Sequence, residues 1–288
     1  MSTSHSENHY FTHGDVTLLV ENILFKLHRD VLEIHSEYFQ SLLNVAETVE
    51  GQATSNEQPL VLSADLCSAK TFELICDFMY PKAIGVYPAI LIQEVEKWEA
   101  ALQAAASLQM RGLRVHILTE FQGKIATNPT SAARLLGLAV GYDEAPNSLK
   151  LQCLYALVFL RRAVSSPEVA CLGEGTTSQV VAIRDRIRIL IATSPTYWST
   201  IHRHYLCMEG PNCQTYIHEG VFNNIKNTDP LQEYYQTDAS IFEIPQDNRI
   251  CFQCSPIRTE LASTMAKQEL EGEIRRCALG LGLLRVED

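Results

Sequence analysis

The chain has 288 residues, which is enough for one large domain or two domains of medium size. Hydrophobic residues make up 46% of it, so a core can form, and no apolar run approaches the ~20 residues of a membrane span. The net charge of -11 argues against nucleic-acid binding through phosphates, which requires clustered Lys and Arg. The polar start MSTSHSENHYFTHGD lacks an apolar signal core, so we expect a cytoplasmic or nuclear protein.

Two strands open the predicted fold. Alternating apolar residues mark the first strand in DVTLLV, residues 15–20, and the second in ILFKL, residues 23–27. The intervening Glu21 and Asn22 make a turn of hairpin length, in which Asn tolerates left-handed geometry. One face of each strand is therefore expected to lie in the core.

Two short helices follow with almost no loop between them. The first begins near His28, and Ser36 is a good N-cap for the second. The apolar face of the second helix consists of Tyr38, Phe39, Leu42 and Leu43. A third strand in LVLSAD, a helix capped by Ser68 and two further helices complete the order β-β-α-α-β-α-α-α. This order fits an α+β fold in which a small sheet is covered by helix pairs.

The chain from Ser131 onward is predicted to be mainly helical. The predicted helices cover residues 132–142, 148–162, 178–193 and 195–205. A last long helix is predicted at 257–286, with a candidate break at residues 280–282. Ser166 and Ser194 each precede a proline, which is typical of an N-cap followed by the first helical position. The basic run at 184–188 is expected on the solvated side of its helix, and residues 206–256 are predicted to be irregular.

The pattern D-V-x-L-x-V, then F-x-x-H-R-x-V-L, then S-x-Y-F-x-x-L-L resembles the BTB/POZ domain. The matching residues are Asp15, Val16, Leu18, Val20, Phe25, His28, Arg29, Val31, Leu32, Ser36, Tyr38, Phe39, Leu42 and Leu43. The resemblance covers residues 13–126, after a flexible N-terminus at 1–12 and before a helical C-terminal domain at 127–288. This two-part layout is similar to that of many BTB proteins of fungi.

The resemblance implies a module for protein–protein interaction that is not an enzyme. Family members self-associate or recruit a partner such as a cullin scaffold of ubiquitin ligases, so we expect an adaptor role. A self-assembling scaffold, a transcription-related regulator without a ubiquitin-ligase link, and a metal- or redox-responsive regulator stay open as alternatives. The dimeric members carry an extra helix and strand ahead of the matching string, which exchange between subunits. The residues ahead of Asp15 show no helical periodicity, which argues against this exchanged homodimer and leaves a monomer, or a homodimer through another surface, as alternatives.

Three polar residues of the matching string are candidates for a binding site. In the family, an acidic residue at the first strand and a basic one after the second can form a charged pocket, and Asp15 and Arg29 match those places. His28 lies beside Arg29. The alternative is a local ion pair that fixes the join between strand and helix, which contributes little if it is exposed.

Four of the nine cysteines form two pairs. Cys251 and Cys254 make a C-x-x-C turn, and five residues separate Cys207 from Cys213, which is wider than the usual spacing. Four thiolates could nevertheless hold one structural zinc ion. Possible substitute ligands are His202, His204 and His218. Free thiols, or a redox pair at the C-x-x-C turn, are the alternatives, although no βαβ unit surrounds that turn.

Overall fold

The computed structural model describes residues 3–46, 57–83, 85–122, 124, 128–194, 201, 203–208, 211–226, 237–265 and 270–286. The chain divides into two compact units, residues 1–124 and 125–288. The first unit combines a sheet with helices, and the second consists mainly of helices in its described part. The predicted α+β class is therefore confirmed.

The first unit builds one small sheet and several helices. Its strands are β1 Ser4–Tyr10, β2 Val16–Val20, β3 Ile23–Leu27 and β4 Leu60–Leu62, in the order β1-β3-β2-β4. Its helices are α1 Arg29–His35, α2 Glu37–Ala46, α3 Ala69–Met79, α4 Val95–Ser107 and α5 Arg111–Glu120. The hairpin of β2 and β3 is antiparallel, whereas β1 and β4 are each parallel to their neighbours.

The core of the first unit is apolar and rich in aromatic rings. The rings of Phe25 on β3 and Phe72 on α3 meet edge to face, with centroids 5.0 Å apart. Phe39 on α2 lies 6.2 Å from Phe72, and all three side chains are fully buried. Such ring pairs add about 0.5–1.5 kcal/mol each to the free energy gained from burial alone. These contacts fasten the helices to one face of the sheet.

The prediction of a flexible N-terminus at residues 1–12 is wrong for residues 4–10, which form β1 and make the sheet four-stranded rather than three-stranded. The sequence SHSENHY has no apolar alternation, so its strand character is not visible in the pattern. Backbone hydrogen bonds to β3 and two buried polar residues, Ser6 and His9, hold it instead. His9 Nε2 lies 3.1 Å from an oxygen of Asp77 on α3.

Ser36 joins α1 to α2 as the sequence predicts. Its hydroxyl accepts a hydrogen bond from the backbone N–H of Phe39 at 3.0 Å, which satisfies one of the free donors at the start of α2. The same hydroxyl donates to the carbonyl of Leu108 at 2.6 Å. Because Ser36 is buried, this short side chain both starts the helix and links it to the end of α4.

The second unit contains six helices among its described residues. They are α6 Pro129–Val140, α7 Asn147–Val158, α8 Ser166–Thr193, α9 Pro211–Lys226, α10 Arg258–Met265 and α11 Glu271–Gly280. Gly173, with a φ of 74°, kinks α8. Gly137 on α6 approaches α8 closely, since a Cβ there would lie 2.2 Å from the carbonyl oxygen of Cys171. The N-cap of α8 is Ser165, one residue before the predicted Ser166.

Two predictions for the second unit are wrong. Part of the segment 206–256 is not irregular, because α9 occupies 211–226. The helix predicted at 257–286 does not continue to 286, because α11 ends at Gly280, at the candidate break, and residues 266–269 of the prediction lie outside the described residues. The buried stripe of α9 consists of Cys213, Ile217 and Val221, at a spacing of four residues. That spacing is a helical signal within the sequence. The predicted helix 195–205 lies largely outside the described residues, and 203–205 are not helical.

The basic run on α8 is not simply the solvated face that the sequence indicates. Arg184 is buried, and its guanidinium donates to the carbonyls of Leu160 and Arg161 at 2.9 Å and to that of Arg162. These carbonyls follow the end of α7, where the helix dipole attracts a cation. A buried arginine therefore closes the turn between α7 and α8.

Candidate functional site

The structure brings the four predicted cysteines together in the second unit. Their sulfur atoms all lie within 4.8 Å of one another. Cys207 precedes α9, Cys213 lies in the first turn of α9, and Cys251 and Cys254 lie in the turn ahead of α10. Three separate chain segments therefore meet at one cluster of thiols.

Local backbone hydrogen bonds shape the cluster. The N–H groups of Cys254 and Ser255 both donate to the carbonyl of Cys251, at 3.1 and 2.9 Å, which closes the C-x-x-C turn. The N–H of Cys251 donates to the sulfur of Cys213 at 3.3 Å. Such N–H donors stabilise a thiolate, because they place positive partial charge beside the sulfur. The turn thus orients its own two sulfurs and supports a third.

Burial and mutual hydrogen bonding set different acidities in the cluster. Burial raises the pKa of Cys213 to about 11 and that of Cys254 to about 12. Burial also acts to raise the pKa of Cys251, but hydrogen bonds from the Cys254 backbone and the neighbouring thiols outweigh it and lower this pKa to about 7. A divalent cation at the centre would supply the positive charge that lets all four thiols ionise.

The donor set fits a closed zinc site. With Zn–S bonds of about 2.3 Å, two sulfurs of a tetrahedral site lie roughly 3.8 Å apart. The sulfurs of Cys207 and Cys251 are separated by 3.7 Å, far more than the ~2.05 Å of a disulfide. Four protein ligands leave no open coordination position, so such a site is structural rather than catalytic.

Two of the predicted substitute histidines, His204 and His218, do not belong to this group of four. Within the described residues, the clustered ligand atoms are the cysteine sulfurs alone. His204 accepts a hydrogen bond from the N–H of Leu206 at 3.2 Å through Nδ1. His218 is buried on α9, and this burial lowers its pKa. His202 lies outside the described residues.

In the first unit, Asp15 and Arg29 lie together at the join between the hairpin and α1. Asp15 accepts a hydrogen bond from the backbone N–H of Arg29 at 2.8 Å, while the Arg29 guanidinium donates to Glu33 at 2.6 Å and to Asn44 at 3.1 Å. The carboxylate thus stabilises the first turn of α1. These hydrogen bonds give both side chains a structural role at the start of α1. A role of Asp15 and Arg29 in binding a partner stays a prediction.

The third predicted residue, His28, is part of an aromatic cluster. Its ring lies 5.4 Å from that of Phe11 and 5.9 Å from that of Tyr80, and its backbone N–H donates to the Tyr80 hydroxyl at 2.9 Å. Burial raises the pKa of Tyr80 to about 12, so this hydroxyl stays neutral. The cluster anchors the segment after β1, and a binding role for His28 likewise stays a prediction.

The first unit also has an open groove of about 550 Å³ that sequence reasoning did not find. It is lined by residues 85 and 87–93 of the connection between α3 and α4 and by His116, Glu120 and Lys124. Tyr87 stacks on Phe78 at 6.0 Å and remains 49% exposed. Lys124 donates to the carbonyl of Ile90 at 3.3 Å and to Glu120 at 2.8 Å. The sequence showed these residues only as a proline- and glycine-containing break after a helix.

A small sheet under paired helices is an α+β architecture, and here it carries an open groove lined by both apolar and polar side chains. The family model described as BTB/POZ domain matches residues 5–124, and this part of the chain is a BTB/POZ domain. The domain is typically a non-catalytic mediator of protein–protein interactions. The matched region begins within β1, ahead of the start at residue 13 that the sequence pattern indicated.

Among the described residues, no helix is both long and apolar enough to span a lipid bilayer.

Proposed function

We propose that the chain is a non-catalytic adaptor of the cytoplasm or nucleus that binds a cullin-type scaffold of ubiquitin ligases through its BTB/POZ domain. The match of residues 5–124 to that family carries the proposal. The helical second unit would act as the extension behind the domain. Asp15, His28 and Arg29 are the polar residues that the family resemblance suggests for contact with a partner.

The groove of the first unit supports a protein as the ligand. Tyr87 and Leu91 are each about half exposed, at 49% and 48%, beside a polar rim formed by Glu120 and Lys124. Exposed apolar surface with a polar rim is characteristic of protein-binding sites. Aromatic side chains at such sites contribute most of the binding free energy when a partner covers them.

The test is binding of the purified full-length chain to a cullin N-terminal domain, measured by calorimetry. We expect a complex that Tyr87→Ala weakens at least about tenfold, because a buried aromatic anchor is lost. The control is Ile189→Ala, at a 54% exposed position on α8 in the second unit, which should leave the affinity unchanged.

Absence of a complex with the unaltered chain would discard the adaptor role. The protein would then be a self-assembling scaffold or a regulator without a ubiquitin-ligase link. Affinity purification from the native cell with identification of bound proteins would separate these two, since a scaffold returns chiefly copies of itself.

We further propose that the four clustered cysteines hold one structural zinc ion. The convergence of four sulfurs from three chain segments supports this, together with the 3.7 Å separation of Cys207 and Cys251. Bound zinc would hold the loop before α9 against the turn before α10. Because binding is coupled to folding at such sites, its removal should unfold this region.

Metal analysis of protein purified under reducing conditions should return about one zinc ion per chain. Cys254→Ser should lower the zinc content, because it removes one of the four sulfurs. The control is Cys153→Ser, at a buried cysteine of α7 that lies outside the cluster. A near-zero zinc content in the unaltered protein would exclude the metal site. A disulfide between Cys251 and Cys254, detected by mass spectrometry of protein purified without reductant, would then favour the redox alternative.

A further inference from the structure

The four clustered cysteines differ in how far solvent reaches them. Cys213 and Cys254 are fully buried, whereas Cys207 and Cys251 are both partly exposed. The susceptibility of a cysteine to oxidation follows its exposure and its thiolate character. An oxidant dissolved in water therefore reaches two of the four sulfurs directly, and these two belong to different chain segments.

The residues that follow the two exposed cysteines leave them uncovered. Met208 directly follows Cys207 and is 92% exposed, and Phe252 directly follows Cys251 and is 87% exposed. Side chains that are this exposed make few contacts with their neighbours, so they do not shield the adjacent sulfurs. The two cysteines thus stay open to a small solute such as hydrogen peroxide.

The same two sulfurs are placed to bond to each other. The thiol of Cys251 donates a hydrogen bond to the sulfur of Cys207 over 3.7 Å. This gap must close by about 1.7 Å to reach the ~2.05 Å of a disulfide. Neither cysteine lies in a helix or strand, so side-chain rotation and a small shift of the loop backbone can supply that movement.

We propose that Cys207 and Cys251 are a peroxide-reactive pair, whose oxidation to a disulfide opens the zinc site. The inference deepens the proposed function, because it rests on the four cysteines holding zinc. It adds regulation by hydrogen peroxide to a site that is otherwise structural. It does not depend on cullin binding.

The reaction consumes one molecule of hydrogen peroxide for each disulfide. The sulfur of one thiolate attacks a peroxide oxygen, the O–O bond breaks, and hydroxide leaves, which gives a sulfenic acid. The second thiolate attacks that sulfur, the S–O bond breaks, a second hydroxide leaves, and the S–S bond forms. Both hydroxides take up a proton and become water. The two thiolates have then lost two electrons, which peroxide has gained.

Formation of this disulfide removes two of the four sulfurs from the site. Cys213 and Cys254 remain, and two cysteines are fewer than the four ligands of a structural zinc site. Metal binding at such sites is coupled to folding. The first turn of α9, which contains Cys213, should therefore loosen on oxidation, while the disulfide still joins the loop before α9 to the turn before α10.

The test treats the unaltered full-length chain with a low molar excess of hydrogen peroxide after its zinc content has been measured. We expect release of about one zinc ion per chain, recorded with a zinc-binding dye. Peptide mass spectrometry should identify a disulfide between Cys207 and Cys251. The matched controls are Cys171 and Cys277, which are also partly exposed but lie outside the cluster, and they should stay reduced.

The outcomes separate this inference from the zinc site itself. A zinc content near zero before oxidation would refute the zinc site, and the inference with it. Full retention of zinc after treatment, or a disulfide within the C-x-x-C turn instead, would overturn the inference while the zinc site stands. Equal oxidation of Cys171 or Cys277 would overturn it too. Dithiothreitol followed by added zinc should restore the original zinc content, and failure to do so would exclude a reversible switch.

Discussion

The two units of this chain fill their interiors with different chemistry. The largest fully buried side chains of the first unit are aromatic, namely Trp98, Phe25, Phe39, Phe72 and Phe121. The second unit buries mainly aliphatic side chains together with charged groups, and among its described residues these charged groups are Lys150, Arg161, Glu168, Arg184 and Glu273. An apolar core depends on volume and shape, whereas a buried charge depends on particular partners.

Because of this difference, the two units should tolerate different amino-acid substitutions in their interiors. Loss of a core ring leaves a cavity, and the cost grows with the volume that the neighbours cannot fill. Loss of a buried charge leaves donors or acceptors without partners in a region that water does not reach. The first unit should therefore respond to the size of a substituted side chain, and the second to its hydrogen-bonding capacity.

The largest expected effect is that of Phe72→Ala in the first unit. Phe72 contacts the rings of both Phe25 and Phe39, so its removal should lower the free energy of unfolding of this unit by about 3–5 kcal/mol. Hydrogen exchange of α3 peptides in increasing urea measures this. Phe72→Leu, which fills more of the cavity, is the matched control and should cost less. Equal losses for the two variants would show that volume does not govern this core.

A smaller effect is expected for Arg184→Met in the second unit. Methionine keeps much of the side-chain volume but removes the hydrogen bond to the carbonyl of Arg162 and one of the two donors at the carbonyls of Leu160 and Arg161, where Arg188 is the other donor. The free energy of unfolding should fall by about 1–3 kcal/mol, as measured by exchange of α7 and α8 peptides in urea. Ile189→Met, at a 54% exposed position on the same helix, is the control. An unchanged free energy of unfolding for Arg184→Met would mean that the buried arginine stabilises the fold through its side-chain volume alone.

The smallest effect should be confined to acid pH and concerns Glu168. This buried carboxylate accepts hydrogen bonds from Arg162 at 2.5 and 2.9 Å and from the Ser165 N–H at 2.8 Å. Burial alone would raise the pKa of Glu168, but these donors outweigh it and hold the pKa below its usual value of 4.5. A depressed pKa stabilises the folded state above pH 4.5, and this contribution is lost as the pH falls through the folded-state pKa.

Thermal unfolding between pH 7 and pH 3 tests this prediction. The unaltered protein should lose stability below about pH 4.5. Glu168→Gln should be less stable at pH 7, and the difference from the unaltered protein should shrink as the pH falls. A constant difference across this range would contradict the assigned titration.

Sequence reasoning succeeded where a contact is local or where apolar residues recur at a regular spacing. The alternation in DVTLLV predicted a strand with a buried face, and Val16, Leu18 and Val20 are all buried. The spacing of the four cysteines was sufficient to propose a shared site, and their sulfurs cluster. It failed for β1, because SHSENHY is held by backbone pairing and by His9, which reaches Asp77 across 68 positions.

By itself, the sequence determined the α+β class, the hairpin with its following helices, and the four cysteines that could share an ion, because these follow from periodicity and short spacing. The tertiary structure alone decided that β1 joins the sheet, that Arg184 is buried, and that the groove of the first unit exists. Each of these features arises from residues far apart in the chain. Pairing and burial between such residues depend on the packed arrangement, which a one-dimensional pattern does not contain.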